Sequence, residues 1–306
     1  MAKLSVDSVS ETKTLNDWVQ TVAAEMVAAQ LYFGHGTDNA VDEAFWLVLH
    51  ALQRSPQESV EDLHEALSAA QGAAIQALLQ QRISTRKPLA YLTGTAWFCG
   101  LPFQVDERVL VPRSPLAELI MVGFEPWLLD VPSRILDLCT GSACIAIACA
   151  YAFPEAFVDA TDIDAGALSV AQANVQMHDL HDRLRLYQAD VFTGLPPQRY
   201  DLIVSNPPYV DEDDFAQMPT EYHQEPVLGL IAGADGLLIA RQILQQASDF
   251  LTPEGWLVME VGNSMEALIR AYPDVPFIWP EFAEGGHGVL MISAADLMTF
   301  FESSYS

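Results

Sequence analysis

At 306 residues the chain is long enough for one large or two modest domains with an ample core, and 51% of it is hydrophobic. No run of about 18 apolar residues without charge occurs, so no membrane span is expected. Met1-Ala2-Lys3-Leu4-Ser5-Val6-Asp7 lacks a signal-peptide core, which makes the cytoplasm the expected compartment. The 14 basic and 41 acidic residues leave a formal charge of −27. Duplex binding draws its affinity from cations on phosphates, so no direct nucleic-acid reading is expected. A charge this negative steers in a basic partner, although it also serves solubility.

Residues 1–10 read as frayed. Leu15, Trp18, Val19, Val22, Met26 and Val27 recur at a helical period from Thr14 to about Leu31. Further helices are expected over Asp42–Leu52 and Val60–Ile83, with Ser55-Pro56 marking the break. Together they form an N-terminal helical domain, 1–85, that Arg86-Lys87-Pro88 ends. A linker, 86–115, follows, with a hairpin from Phe98 to Leu110 turning at Gly100-Leu101-Pro102. Leu116–Leu129 reads as a helix leading into a sheet domain, 116–306.

Ser133 to Thr140 is an apolar strand that runs into a helix, Gly141 to Ala150. Strand, small-residue turn and helix form the first unit of a nucleotide-binding α/β sheet. Gly141 lets the backbone pass close to a ligand, and the helix N-terminus points free N–H groups at it. Asp137 is placed to meet a cationic group. Phe157 to Asp162 ends a second strand on a carboxylate suited to ribose hydroxyls, and Arg183 to Asp190 ends a third on one suited to an exocyclic amine such as that of adenine. A pyrophosphate needs Gly-x-Gly-x-x-Gly, whereas this turn keeps one glycine. The acids suit a cofactor without phosphates that carries an ammonium and a sulfonium, S-adenosylmethionine.

Tyr200 to Ser205 is a buried strand stopped by Asn206-Pro207-Pro208-Tyr209, because neither proline can donate a ladder hydrogen bond. The diproline holds one side-chain carbonyl, backbone carbonyls and an aromatic face rigidly at the strand's C-terminal edge. That set suits a planar –NH2 group. An acidic, loop-like stretch, Asp211 to Pro226, follows; it reads as a solvated face or as a rim for a basic peptide. Leu237–Leu251 is a helix and Gly255–Val261 a strand. Pro276–Trp279 and Gly288–Ile292 are candidates for the last strand pair. The expected sheet is seven-stranded and mostly parallel, with one antiparallel strand. Cys99, Cys139, Cys144 and Cys149 show no metal-ligand spacing, the last three reading as buried free thiols. The seven histidines form no metal set, and local loop hydrogen bonding is expected of them.

The run from Asp137 to Ala150, with Asn206-Pro207-Pro208-Tyr209, resembles class I S-adenosylmethionine-dependent methyltransferases, Rossmann-like enzymes that act on planar amino or amide nitrogens. Within them the chain looks like the protein-(glutamine-N5) methyltransferases, and the likeness narrows to those acting on large-subunit ribosomal protein L-three. Tyr32 to Ala40, Val105 to Pro115, Glu260 to Met265 and Tyr272 to Pro276 carry that narrowing. The family usually places glycine after Ser142, where this chain has Ala143. A methyl group there crowds the cofactor's methionine end unless the residue is already helical. The family also tends to place histidine before Glu225-Pro226, where this chain has Gln224.

The resemblance implies that the 1–85 domain recognises substrate. It implies that the Asn206 oxygen and the Pro207 carbonyl accept the two hydrogens of a glutamine amide, that Tyr209 packs on the amide plane and that Pro208 keeps the turn rigid. Asp162 then holds the ribose and Asp190 the adenine amine, with Val191 against the base. Asp137, Cys139, Gly141 and Ala143 line the methionine end, beside Asn206. Arg113 and Glu225 are candidates for substrate contact. The implied partner is a basic ribosomal protein. Translation release factors, adenine-N6 of a nucleic acid and a non-enzymatic role in ribosome assembly are the alternatives.

Overall fold

The computed structural model describes residues 13–56, 62–283 and 285–301. Residues 1–10, expected to be frayed, lie outside them. The chain divides into two compact units, Met1–Thr93 and Gly94–Ser306.

The first unit is helical, with α1 over Leu15–Ala28, α2 over Ala40–Ala51, α3 over Ala69–Thr85 and a short α4 over Leu89–Thr93. Side chains set the boundaries. Thr14 and Asp17 form a capping box at α1, Asn39 takes the Val41 and Asp42 N–H groups at α2, and Ser68 and Gln71 cap α3. That last box corrects the helix expected from Val60: residues 62–68 are turns and bridge, Ala66 pairing with Thr14, while 57–61 lie outside the described residues. Leu15, Val22, Met26, Leu47, Ile75 and Leu79 form the core. Arg82, 0% exposed, is buried among them and donates to Glu43 at 2.7 Å and to the Tyr32 carbonyl at 3.0 Å.

The second unit opens with a hairpin of β1, Thr95–Phe98, and β2, Leu101–Gln104. Its turn is Cys99-Gly100, both at positive φ, one residue before the expected position; Pro102 lies inside β2 opposite Trp97. The helix expected to reach Leu129 is only α5, Leu116–Met121. Gly123 and Phe124 turn left-handed, and the Phe124 N–H bonds back to the Leu119 carbonyl at 2.8 Å, which closes the helix end.

Then come β3, Arg134–Leu138; α6, Cys144–Ala152; β4, Phe157–Asp162; α7, Ala165–Met177; β5, Leu184–Gln188; and β6, Tyr200–Ser205. They are followed by α8, Glu212–Gln217; α9, Leu238–Phe250; β7, Leu251–Glu260; α10, Met265–Ala271; β8, Val289–Ser293; and α11, Ala294–Phe301. The sheet order is β5-β4-β3-β6-β7-β8, parallel except for β8. Helices α5, α6 and α7 lie on one side, with α9 and α11 packed on β7.

This is the class I methyltransferase architecture, with six strands in the sheet among the described residues instead of the expected seven. Around Ile278 the pairing shrinks to an isolated bridge with Met291, because Pro276 and Pro280 on either side have no N–H to extend a ladder. The acidic stretch after the tetrapeptide also differs from the expected loop. Asp211 caps α8, three acids sit in its first turn where the helix dipole favours them, and Glu221 and Glu225 are buried rather than solvated.

Candidate functional site

Connections leave β3 in two directions, toward β4 and β5 on one side and toward β6 and β7 on the other. Such a switch point opens a crevice beyond the carboxyl ends of the strands. A cavity of ≈ 290 Å³ sits there, lined from the ends of β3, β4 and β6, from the segment after β5 and from residues 108–114. Among the described residues no helix is long and apolar enough to cross a membrane.

The loop after β3 forms one wall. Cys139, Gly141 and Ala143 all have positive φ, and α6 begins only at Cys144, three residues later than expected. An added Cβ at Gly141 would meet nothing within 4 Å, so this backbone borders open space. Ala143 is not helical: at φ +64° it holds the left-handed conformation that glycine adopts most cheaply. It is fully buried and does not line the cavity. Asn174, on α7, holds this loop from behind, donating to the Ser142 carbonyl at 2.9 Å and to the Gln104 carbonyl at 3.0 Å.

Asp162 lines the cavity at the end of β4. Its Oδ2 accepts the Gly141 N–H and its Oδ1 the Asp164 N–H, each at 2.9 Å, while burial pushes its pKa up. Asp190 and Val191 also line the cavity, Asp190 exposed and Val191 buried. Asp137 lies below the wall and outside the lining. Its Oδ2 accepts the Thr140 hydroxyl at 2.5 Å and the Ala146 N–H at 3.1 Å, but its buried Oδ1 has no partner. Burial raises the Asp137 pKa to about 7.

Asn206, Pro207, Pro208 and Tyr209 form the opposite wall. The Ser205 hydroxyl donates to the Leu138 carbonyl at 2.8 Å and so ties the ends of β6 and β3 together. The Tyr209 hydroxyl donates to Glu260 Oε1 at 2.9 Å, and its carbonyl accepts the Ser264 hydroxyl at 2.8 Å. Burial, with Glu260 close by, holds the phenol well above its ordinary pKa. Arg113 lines the cavity and pairs with Glu225, which does not. Of the predicted residues, the structure therefore brings together Arg113, Cys139, Gly141, Asp162, Asp190, Val191, Asn206, Pro207, Pro208 and Tyr209, and sets Asp137, Ala143 and Glu225 behind the walls.

Glu260 and Ser114 enter the site without having been assigned a role from the sequence. The available signal was an acid at the end of the strand neighbouring the one that carries the tetrapeptide.

The wall chemistry fits a nucleoside cofactor with a cationic tail. Two carboxylates stand at adjacent strand ends, the glycine-bordered wall leaves room for close approach, and Ile163, Ala189 and Val191 offer apolar surface for a base.

Comparison with known proteins identifies the family. Residues 126–221 match the family model of the methyltransferase small domain, and residues 27–94 that of the PrmC N-terminal domain. The ribosomal protein uL3 glutamine methyltransferase of Francisella tularensis is 44% identical over 296 residues, covering 96% of this chain and 94% of that one. The protein of the same description from Bordetella pertussis is 43% identical over 291 residues, covering 94% and 98%. Among solved structures, the hMettl16 catalytic domain, determined with the MAT2A 3′UTR hairpin 6, shares the fold with a TM-score of 0.52 at 18% identity, over 81% of this chain and 92% of that one. A likeness this extensive in sequence, carried by a site of this form, shows that the chain belongs to the family of ribosomal protein uL3 glutamine methyltransferases.

Proposed function

We propose that this protein transfers a methyl group from S-adenosylmethionine to the side-chain nitrogen of one glutamine in ribosomal protein uL3. The observation that carries the reading is the rigid Asn206-Pro207-Pro208-Tyr209 wall facing the carboxylate-bearing strand ends across one cavity, in a chain 44% identical to a methyltransferase of that description. The charge of −27 suits a basic protein substrate over a nucleic acid, and a ribosomal-protein substrate supports a cytoplasmic location for the enzyme.

Asp162 and Asp190 hold the ribose and adenine ends of the cofactor, and the Cys139–Gly141 backbone borders its methionine end. When bound, the cofactor supplies a sulfonium-activated methyl group. An amide nitrogen is a poor nucleophile because its lone pair is delocalised into the carbonyl. The Asn206 side-chain oxygen and the Pro207 carbonyl accept the two amide hydrogens and so localise the lone pair away from them, into the cavity. Tyr209 lies against the amide plane and limits its tilt, and Pro208 stops the acceptors from moving. The nitrogen is far more acidic once alkylated, so its proton leaves to water and no side chain need act as a base beforehand. Orientation and preorganised acceptors then lower the barrier by several kcal/mol.

The test is transfer of labelled methyl to purified uL3, with a release factor and adenine-containing DNA in parallel and the modified peptide mapped by mass spectrometry. Label is expected on a single uL3 glutamine and is expected to fall about 10²-fold or more in Asn206→Ala. Label confined to the release factor overturns the substrate, label in DNA overturns the substrate class, and cofactor binding without any transfer points to a scaffold.

A further inference from the structure

Glu260 ends β7 and is 4% exposed. In the parallel pairing of β6 with β7, Ser205 stands opposite Met259, so Asn206 and Glu260 are the next residues along the two strands. Both Glu260 oxygens are engaged: Oε1 takes the Tyr209 hydroxyl at 2.9 Å and Oε2 the Ser114 hydroxyl at 2.5 Å. Ser114 is itself held, its oxygen accepting the Leu116 N–H at 3.1 Å at the start of α5. An ionised carboxylate is an acceptor-only group, here with one O–H donor on each oxygen, and burying it is costly unless its oxygens are satisfied in this way.

The residues that follow complete the hold on Tyr209. Gly262, at φ +44°, lies so close to the Tyr209 ring that a Cβ there would come within 2.4 Å of it. The Ser264 hydroxyl donates to the Tyr209 carbonyl. The tyrosine is therefore fixed at its hydroxyl, its ring and its backbone by one short segment, 260–264, that itself lies outside the cavity lining.

We propose that Glu260 is a positioning residue for methyl transfer, a buried carboxylate anchored by Ser114 that sets the plane of the Tyr209 ring against which the glutamine amide is oriented. This rests on the assignment of the reaction to the Asn206–Tyr209 wall. Glu260 acts on kcat through Tyr209 and has little effect on the cofactor, because it lies outside the cavity lining and bonds Tyr209 and Ser114 rather than the strand-end carboxylates.

The experiment compares wild type, Glu260→Ala, Glu260→Gln, Tyr209→Phe and the Glu260→Ala/Tyr209→Phe double variant. It reads kcat and KM for uL3, the cofactor Kd by calorimetry, Tm, and the Tyr209 ring orientation in crystals of wild type and Glu260→Ala. Glu260→Ala is expected to lower kcat by about 10-fold or more, as a misplaced orienting group does, with the cofactor Kd unchanged and the ring turned. Glu260→Gln, which retains an acceptor for the phenol, is expected to restore most of the rate. The Glu260→Ala and Tyr209→Phe losses are expected not to add in the double variant, as for residues that act as one unit. If Glu260→Ala does not fold, Ser114→Ala carries the test, since it keeps the carboxylate and removes its anchor; kcat is expected to fall at constant cofactor Kd. An unimpaired kcat, additive losses or an unmoved ring overturns the proposal. A wild-type protein that leaves the uL3 glutamine unlabelled overturns the assigned reaction instead.

Discussion

The Arg113 guanidinium meets the Glu225 carboxylate at both oxygens, 2.7 Å to Oε1 and 2.5 Å to Oε2, across 112 residues of sequence. The Val111 N–H shares Oε1 at 2.9 Å, and Arg113 lies over the Tyr222 ring at 5.2 Å. This pair fastens the segment before α5 to the segment that follows the tetrapeptide.

Removing Arg113 leaves Glu225, 3% exposed, as a buried carboxylate without its cation. Arg113→Ala is expected to destabilise the protein by about 3 kcal/mol, seen in calorimetry as a fall of about 6–12 °C in Tm. Arg113→Lys is expected to fall between, because an ammonium cannot reproduce the two-pronged contact. Adding Glu225→Gln to Arg113→Ala is expected to recover part of the loss; a simple sum of the two effects would show that the pair does not act as a unit.

Asp162 both borders the cavity and holds the Gly141 N–H. Asp162→Ala is expected to raise the S-adenosylmethionine Kd by about 10-fold or more, the scale of a lost hydrogen bond to a charged group. Asp162→Asn is expected to lie between. Titration calorimetry reads this without any protein substrate, and an unchanged Kd in Asp162→Ala would remove the residue from the cofactor site.

Asp137 carries the clearest pH signature. Burial lifts its pKa from an ordinary 3.8 to about 7. Between those values the native state keeps a proton that the unfolded chain has released, so its contribution to stability declines as pH rises through that window and levels off above it. Asp137→Asn stays neutral throughout and retains an acceptor for Thr140 and Ala146. It is expected to be more stable than wild type at pH 8 by on the order of a few kcal/mol, with the gap shrinking toward pH 4. Urea melts of the cofactor-free protein at several pH values check this; a gap that does not change with pH contradicts it.

Two glycines at positive φ should respond differently. Gly141→Ala meets no atom within 4 Å, so its stability cost is the backbone strain alone, about 1 kcal/mol. Gly262→Ala drives a Cβ into the Tyr209 ring and is expected to lower kcat at least about 10-fold by displacing it. Comparable stability and activity in the two variants would show that the ring is free to move.

Much of the scaffold was readable from the chain because its causes are local. Ile135, Leu136 and Leu138 form an apolar run that only a buried strand accommodates, and Pro207-Pro208 must stop β6 wherever that strand lies. Thr14, Asn39 and Ser68 cap helices through partners two or three residues away. The strand-end acids Asp162 and Asp190 and the tetrapeptide face one cavity because successive parallel strands present their C-terminal ends on the same edge.

What remained hidden depends on distances that no local pattern encodes. Glu260 meets Ser114 across 146 residues, Asn174 reaches back 70 residues to Gln104, and Arg113 turns to Glu225. The same holds for the reduction of the expected strand at Ile278 to a bridge and for the left-handed turn that places Ala143 behind the cavity wall. Which residue types stand at the ends of the strands follows from the chain's local chemistry, since hydrophobic patterning and proline geometry act over a few residues. Which of those side chains face the cavity and which brace it is set by long-range packing, because that choice is made when a buried polar group finds a partner that packing brings within hydrogen-bond reach.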